Sequence, residues 1–75
     1  GGRARGVEAL TNREREVLNL LGNGMSAARI AGELELSPHT VRVHVGNLMR
    51  KIGLKDRSEA IHYAVKLARS TTRRG

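Results

Sequence analysis

The residues best suited to chemistry lie between Ser37 and Gly53, where His39, Arg42, Val43, Gly46 and Arg50 recur at i, i+3, i+4, i+7 and i+11. That period is helical, so the five share one face. Its only long side chains are arginines. A second stripe in the same segment, Val41, Val45, Leu48 and Ile52, is apolar at i, i+4, i+7 and i+11 and reads as the core side. A helix fixed to a core on one side, and offering arginine from its N-terminal half on the other, is shaped to enter a DNA major groove.

Other chemistries find less support. His39, His44 and His62 invite a metal reading. His39 and His44 are five apart, on divergent faces of a helix, and no cysteine or acidic ligand sits at a matching offset. His44 reads instead as a half-buried histidine packed beneath its helix. No paired carboxylates, nucleophile–base arrangement or phosphate loop is present. Gly22-Asn23-Gly24 is a helix stop, because no Gly-Lys-Ser/Thr follows it. No enzyme activity, metal site or cofactor is expected.

A small scaffold must position these side chains. A chain of 75 residues makes one domain, and one of this size buries only about 60% of its unfolded surface, so every helix must contribute. With no cysteine, neither a disulfide nor a thiolate zinc site can staple it. The apolar residues are aliphatic apart from one Tyr, and strand-type residues do not cluster, so the expected fold is all-α. Fourteen basic residues against seven acidic give +7, which implies a polyanionic partner or a solvated basic face. No apolar run approaches the roughly 20 residues that span a bilayer, and no signal peptide is visible. No membrane partner is expected, and a cytoplasmic location is the default. Residues 1–7 read as a linker or tag remnant, 8–69 as the folded domain and 70–75 as a disordered basic tail. The chain is expected to be a piece of a larger protein.

Four helices are marked by their caps. Thr11-Asn12-Arg13-Glu14 is a capping box with Leu10 as its staple, and Val17, Leu18 and Leu21 give the first helix its apolar face. Gly22 and Gly24 end it. Ser26 caps a second helix through Ile30, Ala31 and Leu34, and Leu36 fills the bend after it. Ser37 caps the third helix (38–52), with Pro38 at its first position, where a missing donor costs nothing. Gly53 ends it. Asp56-Arg57-Ser58-Glu59 is a second capping box, and the fourth helix (57–69) continues with Ile61, Ala64, Val65 and Ala68 as its core stripe. The short bend between the second helix and the longer basic third one is a helix-turn-helix signature.

The run from Leu10 to Val65 resembles the LuxR-type (NarL/FixJ, GerE-like) helix-turn-helix domain. The resemblance is carried by Leu10 to Leu18, by Ile30-Ala31 with Leu34, and by Leu36-Ser37. Thr40 to His44, Asn47-Leu48, Lys51 to Leu54 and Arg57 complete it. It implies a four-helix bundle that serves as the output domain of a bacterial transcription regulator, of response-regulator (two-component) type, beside a receiver or sensor that this sequence does not contain. It implies that the third helix reads double-stranded DNA at promoter half-sites and that the fourth mediates a weak homodimer. RNA polymerase is implied as a partner through the parent protein.

Carried over by position, Arg42 and Val43 match base-facing positions, with His39 beside them. Arg42 suits bidentate donation to guanine O6/N7, worth roughly 1–3 kcal/mol of discrimination, and Val43 suits a thymine methyl. Gly46 matches a position where some relatives place a base-reading lysine, so readout there is lost or passes to a neighbour. Thr40, Asn47, Arg50 and Lys51 resemble phosphate-contacting positions. Ala27 and Ala28 depart from the polar or basic residues of several relatives. The amides behind Ser26 still suit a phosphate, and Arg29 is a candidate replacement. Thr40 also has a local reading, with its hydroxyl bonded within its own turn.

On the fourth helix Ser58, His62, Tyr63 and Lys66 are the candidate dimer contacts. Tyr63 combines apolar area with a polar tip, which suits an interface. It equally suits the edge of the monomer core. A different class of function, a basic helical module that docks an acidic protein, stays open on charge alone and predicts no preference among DNA sequences. An RNA-binding reading is disfavoured by the near absence of stacking aromatics.

Overall fold

The structure, a computed structural model, describes the backbone of residues 6–73 and side chains up to residue 69. Among the described residues it is all-α, with four helices and no strand. α1 spans Asn12–Gly22, α2 Ala27–Leu34, α3 Pro38–Ile52 and α4 Arg57–Arg73, and a 3-10 turn, Val7–Ala9, precedes them. Each of the first three helices starts where a hydroxyl residue covers an orphan amide. Thr11 Oγ1 accepts from Glu14 N, Ser26 Oγ from Arg29 N and Ser37 Oγ from Thr40 N, at 3.1, 3.2 and 3.1 Å. The capping box at Thr11 is complete, since Glu14 Oε1 accepts from Thr11 N at 3.0 Å.

The ends follow a common rule. α3 stops at Gly53, whose φ of 88° lets the amides of Gly53 and Leu54 both return to the Met49 carbonyl. α2 stops the same way at Glu35, which takes a φ of 58° without glycine's freedom. The Leu36 amide then donates to the Ala31 carbonyl at 2.8 Å, and the Leu36 side chain packs against the core. This tight corner sets the angle between α2 and α3.

The core is aliphatic: Val17, Leu18, Leu21, Ile30, Val41 and Leu48 are its largest fully buried side chains. α1 packs against both α3 and α4, and α2 packs against α3. The α1–α4 crossing is close, because a Cβ on Gly22 would stand 2.7 Å from the Ala64 Cβ. Small residues therefore line it, and the buried positions of α4 are Ala60 and Ala64.

That crossing corrects the expected core stripe of α4. Val65 is 40% exposed and Ala68 is exposed, while Tyr63 and Leu67 lean in with Ile61 against the core. The helix is rotated toward its small residues because α1 leaves no room for larger ones. α4 also runs to Arg73, four residues past the expected end at 69. Neither Gly nor Pro stands between Arg69 and Gly75 to stop it, so residues 70–73 are helix where a disordered tail was expected. Val7 already packs against the core, so the fold starts within the expected linker. Residues 1–5 and 74–75 of the expected linker and tail lie outside the described residues.

Candidate nucleic-acid interface

α3 carries two faces, as its spacing predicts. Val41 and Leu48 are fully buried, and Val45 and Ile52 are half-buried against the core. His39, Arg42, Val43, Gly46 and Arg50 are all exposed. The structure therefore brings the four base-reading candidates together on one outward strip. Arg42 makes no hydrogen bond or ion pair with any described residue, so its five guanidinium donors face outward unused. Val43 is 45% exposed, an apolar side chain presented on a polar surface.

Donors flank this strip. Ser37 Oγ donates to Thr40 Oγ1 at 2.9 Å, so the local reading of Thr40 holds, yet its own O–H stays available to an outside acceptor. Arg50 Nη2 donates to Asn47 Oδ1 at 2.7 Å. This bond uses the acceptor of Asn47 and leaves its two amide donors free to point elsewhere. At the start of α2, Ser26 caps the Arg29 amide, and the Arg29 side chain is exposed and without a partner among the described residues. The capped N-termini of α2 and α3, the exposed Arg29 and the donors of Asn47 and Arg50 are thus groups of a kind suited to an anionic backbone.

A family profile described as "Bacterial regulatory proteins, luxR family" (GerE) matches residues 8–64, most of the chain. The chain belongs to the luxR family. It is a LuxR-type helix-turn-helix DNA-binding domain of a bacterial transcription regulator, and not an enzyme. No described helix is long and apolar enough to cross a membrane, and no described cluster of His, Cys, Asp or Glu is arranged to hold a metal ion.

Within this luxR-family domain Lys51 makes a structural tie that its sequence position does not reveal. Its Nζ donates to Glu14 Oε1 at 2.8 Å. The Glu14 side chain is only 5% exposed and that of Lys51 37%. The pair ties the last turn of α3 to the capping box of α1. Burial pushes the Glu14 carboxyl up, but hydrogen bonds from Lys51 and the Thr11 amide, the Lys51 charge and the Thr11 hydroxyl outweigh it. The net result is a carboxyl held below its usual value near 4.5. A second tie is Arg57, whose Nη2 donates to the Met25 carbonyl at 2.8 Å and fastens the start of α4 to the α1–α2 loop. The Thr11 capping box was a signal for Glu14, but no local pattern links it to a lysine 37 residues on.

The dimer candidates divide. Ser58, His62 and Lys66 are exposed at i, i+4 and i+8, whereas Tyr63 is half-buried against the core. A Cβ on Gly6 would stand 2.9 Å from the Tyr63 hydroxyl, so Tyr63 lies over the N-terminal turn. Val65, exposed between His62 and Arg69, is with Ala68 a surface residue that sequence reasoning placed inside. The second capping box is also shifted by one residue. Asp56 Oδ1 accepts from the Glu59 amide at 3.0 Å, but Glu59 Oε1 reaches the Lys55 amide at 2.8 Å rather than that of Asp56.

Proposed function

We propose that α3 lies in the major groove of double-stranded DNA, with Arg42, Val43, His39 and Gly46 against base edges. Arg42 takes the O6/N7 edge of a guanine. Thr40, Asn47, Arg50, Arg29 and the Ser26-capped end of α2 hold phosphates, and Lys51 adds the donors that Glu14 leaves it. The observation that carries this is the single outward strip on α3, where an Arg42 side chain without a partner among the described residues and an exposed Val43 share a face with His39, Gly46 and Arg50. The domain is the output unit of a response regulator, which works on RNA polymerase through the parent protein. Two copies pair weakly through α4 by Ser58, His62, Lys66 and the edge of Tyr63, and bind half-sites related by a two-fold axis.

Selection from random double-stranded DNA at near-physiological salt tests this reading. Enrichment of a short motif, arranged as an inverted repeat, is the expected result. A retained pool that stays random reduces the binding to charge alone and overturns the proposal.

A further inference from the structure

Gly46 stands in the middle of the outward face of α3, and the packing of the protein does not explain it. Gly22 is required because a Cβ would strike Ala64, and Gly53 because its φ is 88°. Gly46 has helical backbone, and a Cβ there would meet no heavy atom within 4 Å. A glycine inside a helix lowers the folding equilibrium constant by roughly three- to fivefold relative to alanine. The fold would gain from a side chain at this position, so the space it leaves serves something outside the fold.

Gly32 on α2 is equally open, but its surroundings differ. Its helical neighbours at three and four residues are Ala28, Arg29, Glu35 and Leu36, and none of them is a large exposed apolar side chain. Gly46 has Arg42 and Val43 one turn before it and Arg50 one turn after. Val43 is one of only two large hydrophobic side chains exposed among the described residues. Val43 beside the missing side chain of Gly46 makes a shallow apolar notch, with Arg42 one turn before it and Arg50 one turn after it along the helix.

We infer that this notch receives the 5-methyl group of a thymine, so that Gly46 is a specificity-determining residue that reads by shape. This rests on the proposal that α3 enters the major groove. Thymine alone among the four bases presents an apolar group there. The valine methyls supply the contact, and the missing side chain at Gly46 lets the base pair come close to the helix backbone. Beside it, Arg42 takes the acceptor edge of a neighbouring guanine. A side chain at position 46 would hold the pair away and cancel the preference.

The test uses the purified chain and a DNA site obtained by selection. Each thymine of one half-site is replaced singly by deoxyuridine, which removes the methyl and leaves pairing intact. One replacement is expected to weaken binding about fourfold, the worth of one buried methyl, and the others to change it less than twofold. Gly46→Ala is expected to raise the melting temperature, weaken binding to the thymine site and bring thymine and uracil within twofold of each other. Gly32→Ala is expected to raise the melting temperature equally and leave DNA binding unchanged. Equal binding of every uracil-substituted site, or unchanged discrimination in Gly46→Ala, overturns the inference. Arg42→Ala, run alongside, separates the two levels. If it loses base preference while uracil is silent, the notch is wrong and groove reading stands. If neither it nor any base change alters binding, groove reading itself has failed.

Discussion

Replacing Lys51 by methionine keeps its stem and removes the cation that faces Glu14. The Glu14 carboxylate is left nearly out of water, with the Thr11 amide at 3.0 Å and the Thr11 hydroxyl as its remaining charge-stabilising donors. Breaking a buried pair by losing one partner costs about 3–5 kcal/mol, whereas an exposed pair is worth about 0–1. Lys51 is 37% exposed, so water enters where its ammonium stood and the expected loss falls between these limits, at about 2 kcal/mol. For a domain of this size that lowers Tm by roughly 8–16 °C. Glu14→Gln keeps a side chain able to cap, and the double variant leaves no buried charge behind. A double-mutant cycle is therefore expected to show a coupling of about 1 kcal/mol, read from urea unfolding followed by far-UV circular dichroism at pH 7. The sign of the pH effect is fixed as well. The folded carboxyl titrates below its unfolded value, so the contribution is present above about pH 4.5 and lost as pH falls through the folded value. The wild type should lose stability in that window relative to Glu14→Gln. Additive single variants, or a Lys51→Met loss below about 0.3 kcal/mol, would refute the reasoning.

Arg42→Ala is expected to cost roughly 1–3 kcal/mol on the selected site and little on random DNA, whereas Arg50→Ala should weaken both alike; fluorescence anisotropy on the two DNAs separates these outcomes. If each subunit neutralises about four phosphates, log K for the dimer falls with log salt at a slope of roughly −7, and a titration showing no salt dependence would sink the phosphate assignments. Gly22→Ala should lower stability by about 1–3 kcal/mol despite alanine's better helix propensity, because its Cβ would meet that of Ala64 at 2.7 Å; chemical denaturation checks it. Val65→Asp, on the exposed side of α4, should leave the monomer's melting temperature nearly unchanged and make the two half-sites bind independently, as a mobility-shift titration resolves.

The helix starts were legible because each rests on a local bond. A hydroxyl at Thr11, Ser26 or Ser37 reaches an amide three residues on, a distance that sequence spacing records directly. The two faces of α3 were legible for the same reason, since periodicity alone separates Val41 and Leu48 from Arg42 and Val43. Less of α4 could be read. Ile61, Ala64, Val65 and Ala68 form a plausible apolar stripe, and only the close approach of α1 at Gly22 shows that Ala60 joins Ala64 inside while Val65 and Ala68 turn outward. Its extension to Arg73 was missed because a polar composition was read as disorder where no helix breaker stands. The Glu14–Lys51 bond depends on how α1 meets α3, a tertiary fact that no local pattern carries. Of the candidate site, the shared outward strip and the local bond of Thr40 were predictable, while the internal partners of Lys51 and Asn47 were not.

Methylation interference at guanine N7 tests the central claim most directly, because N7 lies on the major-groove edge that Arg42 is proposed to read. On a selected site, methylation of one guanine in each half-site should block binding by the wild type, and Arg42→Ala should become indifferent to that same methyl group. Interference confined to adenine N3, in the minor groove, or a methylation pattern that Arg42→Ala leaves unchanged, would contradict the placement of α3.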